Sequence, residues 1–114
     1  MGRPSALILA LAVFLLPGEA RGGLTVTGIE RQGDFATVRF SYRNDTGSTF
    51  SSVVIECATP RALRRTHKGV HHFSNHLSGG IGPGWSGSAS VRVPLKGAKE
   101  TEISCREEGI PLIY

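Results

Sequence analysis

Phe35-Ala36-Thr37-Val38-Arg39-Phe40-Ser41-Tyr42-Arg43-Asn44 alternates without a break. Ala36, Val38, Phe40 and Tyr42 fall on one face, and Thr37, Arg39, Ser41 and Arg43 on the other. A period of two is the period of a strand. Apolar residues on one side and polar residues on the other describe a strand with one face on a core and one in water. Asn44-Asp45-Thr46-Gly47 follows, four residues with turn chemistry.

Working outward, the same period recurs. Ser51–Thr59 reads as a strand with Val53, Ile55 and Cys57 on its inner face. Ile81-Gly82-Pro83-Gly84 is a turn, and Trp85–Pro94 alternates again, with Ala89, Val91 and Val93 inward and Ser88, Ser90 and Arg92 outward. Thr101, Ile103 and Cys105 form the inner face of a last strand. Leu24–Ile29 is a first strand, with Gly28 at a bulge. Between Pro60 and Gly80 the pattern predicts one strand, around Val70–Leu77, after a basic connection. No window repeats at the 3.6-residue helical period. The expected fold is all-β, a small antiparallel sandwich with Val38, Phe40, Tyr42, Val53, Ile55, Val91, Val93 and Ile103 in one core.

The 114 residues suffice for one domain. Hydrophobic residues make up 39% and charged residues 19%, with 15 Gly and 6 Pro. That composition excludes a coiled coil and a charged disordered chain, and it suits many short strands joined by turns.

The first twenty residues read differently. Arg3 precedes an unbroken apolar run, Ala6–Leu16, which Pro17 and Gly18 end. Small residues follow at Gly18 and Ala20. This is the layout of a secretory signal peptide, and the run is shorter than the roughly 20 residues a bilayer span needs. Residues 1–20 are therefore expected to be a cleaved leader, and 21–114 the domain. The protein is expected to be exported, periplasmic or secreted, without a transmembrane segment in its mature form.

A family resemblance rests on Val38–Gly47, Phe50, Val53–Cys57, Gly79–Gly84 and Ala89–Pro94. Together these resemble the FxLYD-type bacterial domains, small immunoglobulin-like sandwiches of exported proteins. The Phe-x-Leu-Tyr-Asp signature has no counterpart here, where the corresponding strand ends in Glu56-Cys57. The resemblance implies an immunoglobulin-like, extracytoplasmic, non-catalytic module, and it assigns no binding residues.

Cys57 and Cys105 are the chain's two cysteines, 48 residues apart. That spacing excludes a C-x-x-C redox motif and an all-cysteine zinc site. Both continue an inner strand face, so in an oxidising compartment they are expected to pair as a structural disulfide. Closing a loop of this size stabilises a fold by about 4 kcal/mol at most.

The remaining chemistry concentrates in one stretch. Arg61, Arg64, Arg65 and Lys68 lie beside His67, His71, His72 and His76. With Lys+Arg 13 against Asp+Glu 9, the chain is basic overall. The expected contact surface is Arg61, Arg64, Arg65, Lys68, His71 and His72, facing an anionic envelope component or an acidic protein partner, with attraction that grows as the histidines protonate. Export makes nucleic acid a poor partner. The alternative is Zn or Cu binding by His67, His71, His72 and His76. On a strand, residues four apart are about 13 Å apart and His71 and His72 point to opposite faces, so that reading needs a bend. No nucleophile elbow, paired catalytic carboxylates or phosphate loop is present. The expectation is a binding or scaffolding module without a cofactor, and not an enzyme.

Overall fold

The computed structural model describes residues 23–60, 67–75 and 78–112. Arg61, Leu63, Arg64, Arg65, His76, Leu77 and the expected leader lie outside them.

The alternating stretch from Phe35 supplies the middle strand of a sheet. β1 (Leu24–Gln32) and β2 (Phe35–Arg43) form a hairpin across Gly33-Asp34, and β5 (Ser86–Pro94) pairs with the other side of β2. Gly33 has φ +68°, the left-handed region that a two-residue turn requires and glycine enters without strain. β3 (Phe50–Ala58) is the middle strand of a second sheet, between β4 (Lys68–Ser74) and β6 (Ser104–Pro111). Every pairing is antiparallel.

The two sheets enclose one core. Ala36, Val38, Phe40 and Tyr42 from β2 meet Val53, Ile55 and Cys57 from β3, and Phe73 of β4 packs edge-on against Phe40 at 6.1 Å. All eight residues expected in the core are buried. Arg39 is exposed on the outer face of β2, as the alternation requires. The bulge expected at Gly28 is present as a register shift between Val26 and Gly28. Trp85 is half-buried and stands 5.4 Å from the Phe73 ring, so it belongs to the core rim.

Two expected strands differ in extent. β4 begins at Lys68, not Val70, because Lys68 pairs with Ala58 and its Nζ donates to Glu56 Oε2 at 3.1 Å. The last strand does not include Thr101. Glu100–Glu102 is a single 3-10 turn in which the Glu102 carboxylate accepts the Lys99 backbone N–H at 3.0 Å, and Thr101 is exposed. Ile103 and Cys105 are buried as expected, and the strand then runs on through Gly109-Ile110 to Pro111, the length that β3 offers it.

Register places the connections. Phe35 lies opposite Pro94, and Ala58 lies opposite both Lys68 and Ser104. The β1–β2, β3–β4 and β5–β6 connections therefore share one end of the body. The chain enters at Gly23 and leaves after Pro111 at the opposite end.

Cys57 and Cys105 form a disulfide. The two are directly opposite in the ladder, so the bridge staples β3 to β6 within one sheet and does not tie the sheets together.

Candidate partner-binding surface

The end that gathers three connections carries a cleft of about 480 Å³ lined by Asp34, Phe35, His67, Pro94, Lys96 and Gly97. Its position follows from the chain. Asp34 closes the β1–β2 hairpin, Pro94 ends β5, and His67 is the residue before β4. Phe35 stands 36% exposed at the lip, and the Arg92 guanidinium carbon lies 4.4 Å over its ring. A cation over an aromatic face is attracted by the ring quadrupole, which holds this large apolar side chain in water without a core to cover it. Exposed Lys96 and Lys99 stand on the β5–β6 connection at the same end. The segment holding Arg61, Arg64 and Arg65 joins Pro60 to His67, so both of its attachment points lie at this end.

The other expected contact residues separate. Lys68 bonds Glu56, which also accepts from Arg106 Nη2 at 2.8 Å and Nε at 3.1 Å. The Arg106 bonds, and then the Lys68 bond, hold the Glu56 carboxyl below its ordinary range. These three side chains lie with Val54, Val70 and His72 on the outer face of the second sheet. Val70 is 42% exposed there, an unusual exposure for a β-branched residue.

His71 lies on the inner face. It pairs with buried Ile55, and its ring meets Phe73 edge-on with centroids 4.6 Å apart. Burial, with His72 as a smaller cause, pushes its pKa below the usual 6.5. The His71 ring packs with the core aromatics, whereas His72 is exposed on the outer face. His71 and His72 thus face opposite ways, as a strand dictates. Among the described residues no group of three or more His, Cys, Asp and Glu comes together as a metal-binding set.

Two functional-looking groups escaped sequence reading. Glu107 sits on the inner face of β6, opposite Ile55, with Oε1 buried and unpartnered among the described residues. Burial and then the nearby Asp45 charge push its carboxyl up to about 7, although the Leu24 backbone N–H bonds it. Tyr42 faces the same charge, and burial first, then Glu107 and Asp45, push its hydroxyl up to about 12. The signal for Glu107 was its parity with Cys105, two residues earlier. Asn44 is the second group, fully buried and hydrogen-bonded on every side.

No helix among the described residues is long and apolar enough to cross a membrane. The chain matches no family model, no curated protein and no solved structure.

Proposed function

We propose that this chain is an exported, non-catalytic interaction module with an immunoglobulin-like body, and that it contacts an anionic partner through the end bearing the β3–β4 connection. The single observation behind this reading is convergence. The attachment points of the Arg61, Arg64 and Arg65 segment lie at the end that already presents Lys96, Lys99 and the Phe35–Arg92 pair around a cleft. That end is also the one farthest along the strands from where the chain enters and leaves. Loops carried on a rigid two-sheet frame commonly hold recognition residues.

Strand order supports the immunoglobulin-like part. β1-β2-β5 in one sheet and β3 beside β6 in the other follow the order of that sandwich class, which the FxLYD resemblance also implies. The Cys57–Cys105 disulfide supports an oxidising compartment, and with the leader-like residues 1–20 it supports export. The partner chemistry is an acidic protein surface or an anionic envelope component.

Retention on an immobilised polyanion tests the reading. The Arg61→Ser, Arg64→Ser, Arg65→Ser triple variant should elute at clearly lower salt than the parent, with its melting temperature unchanged. Exposed charges are screened beyond about 8 Å at physiological ionic strength, so salt should weaken the parent's retention too. Identical elution of the two proteins would overturn the proposal.

A further inference from the structure

The two sheets have four lateral edges, and they are not alike. β4 and β5 lie against each other. A Cβ added at Gly69 of β4 would stand 2.7 Å from the Arg92 carbonyl oxygen of β5, so the two edges cover each other at this point. β1 is interrupted by its bulge, which twists an edge away from further pairing. β6 is different. It is unpaired on its outer side among the described residues, and its register with β3 is unbroken from Ser104 to Ile110.

The phase of that edge can be read from the disulfide pair. The Cα atoms of Cys57 and Cys105 are 4.0 Å apart, which marks the closer, non-hydrogen-bonded type of antiparallel pair. Ser104, Arg106 and Glu108 then direct their backbone groups at β3. Cys105, Glu107 and Gly109 direct theirs outward, at the open edge.

We infer that the β6 edge is a homodimerisation site, at which a second copy of this chain pairs antiparallel through its own β6 about a two-fold axis at Glu107. Charge order on the outer face of β6 selects both the occupant and the register. Residues opposite each other in a continued sheet share a face, so the axis must pass through a residue. An axis at Arg106 puts arginine against arginine, and one at Glu108 puts glutamate against glutamate. The axis at Glu107 sets Arg106 against Glu108 of the second copy, and the symmetry repeats the pair. These fall at non-hydrogen-bonded positions, where side chains approach most closely. Cys105 and Gly109 exchange backbone hydrogen bonds across the junction, and Glu107 exchanges them with its own copy.

The register brings two Glu107 carboxylates together on the inner face. Each already faces Asp45 from the β2–β3 turn, the Tyr42 hydroxyl from β2 and the Leu24 N–H from β1. Ionised, the pair repels, and an inward charge on an edge strand guards against pairing. Protonated, it does not. Because the Glu107 carboxyl titrates near 7, the edge opens as pH falls through neutrality. This edge lies along the side of the body, apart from the loops proposed to meet an anionic partner, so either reading can fail alone.

Sedimentation equilibrium at pH 8 and pH 6, up to millimolar protein, tests it. The expected result is a dimer that tightens at the lower pH, by about tenfold or more, and a Glu107→Gln variant that dimerises equally at both. Glu108→Arg should weaken the dimer about tenfold by setting Arg against Arg, and Arg106→Glu with Glu108→Arg should restore it. A parent that stays monomeric at both pH values overturns the proposal. So does a dimer that ignores Glu108→Arg, or a charge-swapped double variant that folds and stays monomeric.

Discussion

Asn44 donates its side-chain amide to the Ile81 carbonyl oxygen at 3.0 Å, and so ties the turn after β2 to the connection before β5. The second amide hydrogen goes to the Ser48 carbonyl at 2.8 Å. Asn44 Oδ1 accepts from the Thr46 N–H at 3.0 Å and the Thr46 hydroxyl at 2.6 Å. With the side chain fully buried, these bonds replace water completely.

Asn44→Ala should therefore lower stability by about 2–3 kcal/mol, because it removes four hydrogen bonds of a fully buried side chain and leaves the space it filled empty. Asn44→Asp should also destabilise, since a carboxylate cannot donate to Ser48 and Ile81. Urea denaturation checks both. The same burial means that the Asn44-Asp45-Thr46 sequence, which fits the N-glycosylation pattern, presents no accessible amide.

Asn44 also shows where sequence reading stops. The alternation of Ala36, Val38, Phe40 and Tyr42 carries the strand, its face and its share of the core, because a period of two is local. Cys57 and Cys105 were legible together because each extends such a face. What Asn44 bonds was not legible. Its partner Ile81 is 37 residues away, and only the topology brings the two together. Thr101 was misplaced for a related reason: parity continues through any sequence, but Glu102 bonds back to Lys99 and turns the chain before the strand begins. In the basic stretch, charge and the opposite facing of His71 and His72 were visible, but which of the two turns to the core and what Lys68 bonds were not. His71 and Lys68 carry charge-bearing groups by composition, yet one faces Phe73 and the other is held by Glu56.

Loss of the disulfide should cost about 2–4 kcal/mol. The paired Cys57→Ala, Cys105→Ala variant is the cleaner test, because it leaves no thiol to oxidise. Its β-sheet circular dichroism should persist at low temperature while its urea midpoint falls. An unchanged midpoint would show that the β3–β6 ladder holds without the bridge.

Gly69→Ala should destabilise by about 1–3 kcal/mol, through overpacking rather than lost contacts. The added methyl would stand 2.7 Å from the Arg92 carbonyl oxygen and 2.9 Å from Val91 Cβ, and a backbone oxygen beside a buried branched side chain leaves little to yield. Gly28→Ala is the control. Its nearest neighbour would be the exposed end of the Arg39 side chain at 3.5 Å, and its φ is not in the left-handed region, so it should change the midpoint little.

The last prediction concerns pH and two inner-face groups with opposite signs. His71 has a native pKa below its unfolded 6.5, because burial disfavours the imidazolium. The unfolded chain then binds the proton more readily, so the His71 contribution is complete above 6.5 and is lost as pH falls through the lowered native value. Glu107 has a native pKa of about 7, above its unfolded 4.5. Here the native chain binds the proton more readily, so the contribution is complete below 4.5 and is lost as pH rises to about 7. Just below pH 6.5 the two slopes oppose each other and flatten the parent's profile. Glu107→Gln should remove one of them. At low protein concentration its melting temperature should exceed the parent's at pH 8, where the parent keeps a half-buried carboxylate ionised, and should match it near pH 4. The variant's stability should then rise with pH across the range where His71 loses its proton. A Glu107→Gln advantage that is the same at pH 4 and pH 8 would mean that the carboxylate is not the titrating group, and that the side chain matters only through its packing.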